Sequence, residues 1–313
     1  MSDYPLPTWQ DSTELDYATF ARDQTHPAIL IYDYLLTFGA EVKYIWSSKL
    51  RPGTCLLLAI RYLGLGANIT ICAYNFIYFT HEVRRRIAAP PASFNLLVAS
   101  SKNCVKMQWV WMMFIVFLEL LVEVTLALRV YAMYGLNKWI LACLLSTNVA
   151  AGVVALFAII EYGKNPDLLA APGFSGCDAA YPTRSVAARP AGGWEATLVC
   201  DILVFGLTAR RAFIQRKISP LYSGSLIERM ATDGTMYFGI IVLACLANAL
   251  TFYLGDAMLS GFLSWLTTNL SLTLLSRLML NLHEAADLRT TLNTRDLESL
   301  RFATVPMTLD EEL

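Results

Sequence analysis

The stretch that decides the fold runs from Met107 to Leu128 and reads MQWVWMMFIVFLELLVEVTLAL. Its only charged side chains are Glu119 and Glu123. As a helix it is about 33 Å long, enough to cross a hydrocarbon core about 30 Å thick. Because lipid offers no hydrogen-bond partners, such a stretch satisfies its backbone groups within a helix. It therefore predicts a transmembrane helix that carries two carboxyl groups inside the membrane.

Apolar stretches of the same kind recur along the chain. Five more are long enough, or nearly so, to cross a bilayer, and they cover residues 54–80, 139–160, 194–209, 235–254 and 257–276. A seventh, at residues 28–38, is short; it spans only if it extends back to about Tyr17, and is otherwise an interfacial or re-entrant helix. We predict an all-α polytopic membrane protein, a seven-transmembrane helical bundle forming a single membrane domain over residues 1–313.

The composition agrees with a membrane protein. Of 313 residues, 56% are hydrophobic and only 16% are charged, whereas soluble domains average about 25% charged residues. The formal net charge is −1, so there is no basic surplus for an extended phosphate backbone. The predicted environment is the lipid bilayer, and nucleic-acid binding is excluded as a function.

The positive-inside rule orients the predicted bundle. With seven spans, more Lys and Arg residues flank the side that holds the carboxyl end, which places the amino end outside; the run Arg84-Arg85-Arg86 opposes this orientation. Residues 1–10 lack a basic start and an apolar run, so we expect the first span to be its own anchor. Residues 162–193 then form a long outer loop and residues 283–313 a cytosolic tail, with Leu282 to about Leu300 continuing as a surface helix. The plasma membrane is favoured over an internal membrane.

The first two predicted spans carry a pattern that is more specific than hydropathy. Polar and aromatic residues occur there as Tyr32-Asp33-Tyr34-Leu35-Leu36-Thr37, Glu41-Val42, Ile45-Trp46 and Arg61-Tyr62. This pattern resembles the signature of a large family of fungal membrane proteins built on domain of unknown function 6533. The signature region covers residues 17–80. Arg22, Asp23 and His26 make the start of the first span more polar than the family pattern.

Two later stretches are similar to other recurrent blocks of the same family. They are Leu128-Arg129-Val130-Tyr131-Ala132-Met133-Tyr134 and Ser276-Arg277-Leu278-Met279-Leu280-Asn281-Leu282. With them the resemblance covers nearly the whole chain. It implies a seven-helix bundle, and the biochemical function of that family is not established.

Charges inside the predicted spans are candidate functional residues, because an ionisable group in lipid costs several kcal/mol unless it is paired or hydrated. Helical rise places four of them in one layer of the inner half with a net charge of zero: Asp33, Arg61, Glu123 and Arg277. We predict that they meet, with Arg61 and Glu123 in direct contact. Such a layer of charges is either a path for protons or a substrate, or a structural polar network that fixes helix packing.

Glu119 and Asp201 are the candidate ligand or proton site. Glu119 precedes Glu123 by four residues and shares its helix face one turn nearer the middle of the membrane, with no opposite charge in reach along the sequence. Asp201 lies in the fifth predicted span. A lone buried carboxyl group of this kind either holds a proton or contacts a ligand.

The chain has seven cysteines, and five of them lie in or at the ends of apolar spans, where packing is the expected role. Cys104 and Cys177 differ, because seven spans place both on the outer face. We predict a disulfide between them that tethers the outer loop across the bundle. The alternative is two unpaired thiols.

Motifs for catalysis, metal binding or cofactors are not found. The three histidines, His26, His81 and His283, lie at or beyond span ends, and the last predicted span has no Lys to bind retinal. There is no phosphate-binding loop and no Gly-x-Ser-x-Gly nucleophile elbow. We expect no enzymatic activity, no metal and no cofactor.

Seven spans, a tethered outer loop and a basic inner loop at residues 210–229 suggest a function by architecture alone. The hypothesis is a receptor-like sensor that binds a small-molecule ligand from outside and a cytosolic partner at the 210–229 loop. The alternative is a transporter or channel with an acidic route past Glu119. The lack of any charge in three of the spans argues against this alternative. A membrane enzyme is the third possibility.

Overall fold

The computed structural model describes residues 27–47, 52–88, 94–163, 169–170, 179–180, 184–218, 226–254 and 263–303, together with residues 25 and 261. Within these ranges the chain forms seven helices, which confirms the predicted all-α membrane bundle. The first, α1, covers residues 27–46 and ends in the π-helical turn Val42–Trp46. The others are α2 (Pro52–Ala88), α3 (Phe94–Met133), α4 (Lys138–Gly163), α5 (Arg184–Ile218), α6 (Leu226–Leu254) and α7 (Ser264–Ala303).

Four of these helices are long and apolar enough to cross a membrane by themselves. The spanning segments are Pro52–Ala73, Trp109–Met133, Lys138–Glu161 and Gly234–Leu254. They correspond to four of the predicted spans. Helices α1, α5 and α7 carry more polar residues, so their crossing of the bilayer stays a prediction.

Two predicted loops are shorter than the sequence indicated. The predicted outer loop at residues 162–193 starts inside α4, which ends at Gly163, and finishes inside α5, which begins at Arg184 and continues through Pro190. Between these helices the described residues form the two-residue antiparallel strands β1 (Leu169–Ala170) and β2 (Ala179–Ala180). Gly193 does not break this helix. It lets α5 approach α4 closely, since a Cβ atom there would lie 3.3 Å from Cα of Ala155.

The predicted inner loop at residues 210–229 is also largely helical. Helix α5 continues to Ile218 because no proline or glycine occurs between Arg210 and Ser219, and Pro220 disfavours the helical conformation for the residue before it. Helix α6 then begins at Leu226. The basic residues Arg210 and Arg211 therefore lie on a helical extension of α5 and not on a free loop.

The start of the last helix differs from the prediction as well. A turn at Gly261, whose φ angle is +75°, precedes α7, so this helix begins at Ser264 and not near residue 257. The backbone N–H of Ser264 donates to the carbonyl oxygen of Gly261 at 3.0 Å. At its other end α7 runs without a break to Ala303, through much of the predicted tail at residues 283–313.

Helix α3 lies at the centre of the bundle. It contacts α2, α4, α5 and α7, while α6 lies between α5 and α7. Side chains of α1 contact both α2 and α7, so α1 lies between those two helices. The buried face of α3 presents Leu118, Val122, Leu126 and Val130 at intervals of four residues, and these pack into one apolar core with Leu272, Leu275 and Leu278 of α7.

Burial in this bundle is the reverse of burial in a soluble protein. Large apolar side chains such as Phe157, Phe213 and Leu243 are mostly exposed, whereas the carboxyl groups of Glu41, Glu123 and Asp201 are buried. Charged residues are almost never fully buried in water-soluble domains unless they are paired. An exposed apolar surface around buried charges is the pattern expected of a protein surrounded by lipid.

Candidate functional site

The carboxylate of Glu41 lies at the centre of a buried network of polar contacts between α1 and α2. Its side chain is 0% exposed, and Nε of Arg61 lies 2.7 Å from its Oε2 atom in an ion pair whose angle falls short of a hydrogen bond. The hydroxyl of Tyr62 and Nε1 of Trp46 both donate to the Oε1 atom of Glu41, at 3.0 and 3.1 Å. The buried carboxylate thus has a cation and two donors, which is what an ionised group away from water requires.

The same network extends along one face of α1. Asp33, Thr37 and Glu41 are spaced four residues apart and therefore share that face. Nη2 of Arg61 donates to the hydroxyl oxygen of Thr37 at 3.0 Å, and the Thr37 hydroxyl donates to the backbone carbonyl of Asp33 at 2.8 Å. The guanidinium also lies over the ring of Tyr34, 5.0 Å from its centroid. Arg61 is thereby fixed in one orientation.

A second ion pair connects α1 to α7. Nε of Arg277 donates to Oδ1 of Asp33, which is buried, while the side chain of Arg277 is 44% exposed. The two pairs together carry no net charge. We call the set of Asp33, Thr37, Glu41, Trp46, Arg61, Tyr62 and Arg277 the signature network. Its contacts fasten α1 to both of its neighbours.

The predicted contact between Arg61 and Glu123 is wrong. Arg61 pairs with Glu41, and Glu123 faces Asp201 of α5. The four predicted charges lie at similar depths, but depth along a helix does not determine the direction in which a side chain points. Because α1 lies between α2 and α7, Asp33 and Glu41 meet the two arginines, and Glu123 on the central helix α3 is left with other acids.

Three buried carboxyl groups form what we call the acidic centre: Glu119 and Glu123 of α3 and Asp201 of α5. Asp201 lies close enough to Glu123 for the two carboxyl groups to interact directly. Glu119 accepts a hydrogen bond of 2.7 Å from the hydroxyl of Thr268 on α7. The structure therefore brings together the two residues predicted as a ligand or proton site, Glu119 and Asp201, and adds Glu123 to them.

Polar side chains of α6 and α7 continue from the acidic centre toward the end of the bundle where α7 begins. We call that end the outer end and the opposite one the inner end, following the predicted topology. The hydroxyl of Ser264 donates to Oδ1 of Asn248 at 3.3 Å, and Thr268 also contacts the carbonyl of Ser264. Asn248 is 0% exposed, and its Nδ2 atom has no hydrogen-bond partner. One turn inward on α6, the thiol of Cys245 lies beside Asp201.

An amide pair holds α7 against α2 next to this site. Nδ2 of Asn68 donates to Oδ1 of Asn269 at 2.9 Å, and the reverse bond has the same length. Both side chains are completely buried. Because Asn269 directly follows Thr268, this reciprocal pair fixes the rotation of α7 that points Thr268 at Glu119.

The bundle on the inner side of the acidic centre is mainly apolar, although the buried hydroxyls of Thr208 and Thr273 lie there without a hydrogen-bond partner. Buried side chains of three helices pack there into the common core, namely Leu126 and Val130 of α3, Phe238 and Ile241 of α6, and Leu275 and Leu278 of α7. We call this set the inner apolar layer. At the depth of this layer Nε of Arg129 is buried without a hydrogen-bond partner, and toward the inner end Arg211 lies over the ring of Tyr134. The site is therefore bounded on this side by packed apolar side chains and by positive charge.

Sequence reasoning missed Glu41 as the partner of Arg61, and Asn248 and Thr268 as neighbours of the acidic centre. The spacing of Asp33, Thr37 and Glu41 was an available signal for the first. No signal existed for Asn248 and Thr268, because single polar residues in apolar spans do not show which helix they face. The predicted disulfide between Cys104 and Cys177 lies outside the residues whose side chains the structure describes.

The fold and its buried charges define an all-α helical membrane protein. Residues 28–66 match a family of unknown function (DUF6533), which supports the resemblance noted in the sequence. Every member of the signature network except Arg277 lies in this stretch, so the matched region is the one that fastens α1 to α2. No curated protein and no solved structure matches the chain.

Proposed function

We propose that the chain is a non-enzymatic, seven-span, receptor-like sensor of the fungal plasma membrane, whose small ligand reaches the acidic centre from outside. The signature network fixes α1 against α2 and α7, and the bound ligand acts on the helices that carry the acidic centre, α3 and α5 to α7. A change at this centre is transmitted along α5 and α6, whose helical extensions reach the proposed cytosolic partner beyond residue 210.

The observation that carries this proposal is the one-sided polarity of the bundle around the acidic centre. Toward the outer end, Thr268, Ser264 and Asn248 form a chain of polar contacts that begins at Glu119. It continues at Thr251, whose hydroxyl oxygen accepts a hydrogen bond from the backbone N–H of Gly261 at 3.2 Å. Toward the inner end the acidic centre meets the inner apolar layer, in which the hydroxyls of Thr208 and Thr273 are isolated and form no such chain. A chain of polar contacts that extends to one side only suits binding and not passage.

The predicted disulfide between Cys104 and Cys177 is part of the same proposal. It would tether the connection between α4 and α5 to the outer end of α3, next to the route toward Glu119. Non-reducing peptide mapping tests this pairing, and recovery of either cysteine as a free thiol removes it from the account.

Flux measurements separate a sensor from a transporter or channel. We expect liposomes containing the purified protein to conduct protons and K⁺ no faster than protein-free liposomes, because the inner apolar layer blocks the route. The result that overturns the proposal is a flux that Glu119→Gln abolishes. Glu195→Gln is the matched control, since Glu195 is an exposed carboxylate in the outer half of α5 that accepts from the hydroxyl of Tyr253, and its replacement should leave any such flux unchanged.

A further inference from the structure

We propose that the acidic centre binds a small primary amine that also carries a hydroxyl or carbonyl oxygen, with the ammonium group against Glu123 and Asp201 and the oxygen against Asn248. This inference rests on the proposed function and deepens it by naming the ligand chemistry. It concerns a different set of residues from the signature network, whose charges are already paired.

Charge balance is the first argument. Two carboxyl groups in contact away from water cannot both ionise without a large cost, and a cation beside them makes ionisation of one of them favourable. Neither ion pair in the described part of the chain, Arg61 with Glu41 or Arg277 with Asp33, includes a member of the acidic centre. A single positive charge supplied by a ligand neutralises the pair.

Hydrogen-bond geometry favours an ammonium group as that charge. Both carboxyl oxygens of Glu123 are buried, and the direct contact with Asp201 engages one of them at most, so an acceptor is left for an N–H donor at about 2.7–3.2 Å. A divalent metal ion instead needs several ligands at short, fixed distances. Among the residues that the structure describes, no group of three His, Cys, Asp or Glu residues is placed to hold a metal ion.

The second, independent observation is the unpartnered amide of Asn248. Its Oδ1 atom accepts a hydrogen bond from the hydroxyl of Ser264, whereas its Nδ2 atom is fully buried and has no hydrogen-bond acceptor. Asn248 lies one turn outward from Cys245 on the same face of α6, and the Cys245 thiol is beside Asp201, so the amide lies on the side of α6 that is turned toward the acidic centre. A buried donor without an acceptor is costly, and a ligand oxygen removes that cost. This is why a simple alkylamine satisfies the site less well than an amine with an oxygen.

Three probes of similar size test the proposal on the purified full-length protein in detergent. Ethanolamine has both groups, ethylamine lacks the oxygen, and ethylene glycol lacks the charge. At a concentration about tenfold above its dissociation constant, ethanolamine should raise the thermal unfolding midpoint by about 3 °C. Ethylamine should raise it by less, and ethylene glycol at the same concentration should leave it unchanged. Equal thermal unfolding midpoints with all three probes, at matched ionic strength and pH, overturn the proposal.

Variants assign the effect to residues. Glu123→Gln should abolish the response to both amines, whereas Asn248→Leu should abolish only the advantage of ethanolamine over ethylamine. Glu195→Gln should respond as the parent chain does. A response that survives Glu123→Gln places the amine elsewhere and contradicts the inference. This binding test is distinct from the flux test: loss of amine binding without flux removes only the ligand assignment, and an acid-dependent flux removes the proposed function whatever the amines do.

Discussion

Replacing Arg61 by methionine should reduce the yield of folded protein more than any other single substitution in the signature network. The change leaves the carboxylate of Glu41 fully buried without its cation, and breaking one side of a buried ion pair costs about 3–5 kcal/mol. It also removes the donor to Thr37 and the cation over the ring of Tyr34. The measurement is the monodisperse fraction in size-exclusion chromatography after extraction in mild detergent, together with the thermal midpoint of that fraction.

Partner variants make this expectation specific. Glu41→Gln combined with Arg61→Met should recover part of the loss, because a neutral amide can still accept from Tyr62 and Trp46. Glu123→Gln combined with Arg61→Met should recover none, since those two side chains do not meet. Arg277→Met should cost less than Arg61→Met, because the Arg277 side chain is 44% exposed. Rescue by Glu123→Gln, or no rescue by Glu41→Gln, would show that the pairing is misassigned.

Replacing Gly261 by alanine should have the second largest effect, because this glycine shapes the outer turn between α6 and α7. Its φ of +75° costs an L-residue about 1–2 kcal/mol, and a Cβ atom there would lie 2.6 Å from Cζ of the buried Phe252. Overpacking of this kind adds about 1–3 kcal/mol. The turn also sets Thr251 and Ser264 on the outer route. Thermal unfolding in detergent is the measurement.

Gly135 provides a matched control for this substitution. Its φ angle is +66°, close to that of Gly261, but nothing lies within 4 Å of the position that a Cβ atom would occupy. Gly135→Ala should therefore lower the thermal midpoint only through the cost of the positive φ angle. Gly261→Ala should lower it further through the clash with Phe252, and adding Phe252→Leu to Gly261→Ala should recover this further loss. Equal midpoints for the two glycine variants would mean that Phe252 does not fill this space.

Hydropathy was sufficient to predict the fold class and six of the helices, because backbone groups in lipid allow few alternatives to a helix. The seventh, at residues 28–38, was too short by hydropathy and was supported by the family resemblance. It failed at helix ends. Pro190 and Gly193 look like loop residues in the sequence, yet both lie inside α5, since Gly193 serves close packing against Ala155. The start of α7 was misplaced for the opposite reason, because the left-handed turn at Gly261 interrupts an apolar stretch that hydropathy treats as continuous.

The candidate site was predicted in part. Glu119, Glu123 and Asp201 were identifiable because a carboxyl group in an apolar span is conspicuous, and the structure brings all three together. The pairing of Arg61 was not predictable from depth, because it depends on α1 lying between α2 and α7. Nothing in the sequence indicated that Asn248 would lie beside Ser264, since that contact joins two helices at an angle that only the packed bundle determines.

One-sided access to the acidic centre is the central claim, and two serines of α7 test it most directly. Ser264 lies on the outer route, and Ser276 lies buried about 18 Å farther inward, beside the inner apolar layer. Ser→Cys at each position changes little in size, and peptide mass spectrometry separates the new cysteine from the native ones. A membrane-impermeant cationic thiosulfonate applied to intact cells should modify Ser264→Cys and leave Ser276→Cys unmodified. Equal modification of both positions, or modification of Ser264→Cys only from the cytosolic side, would contradict the account.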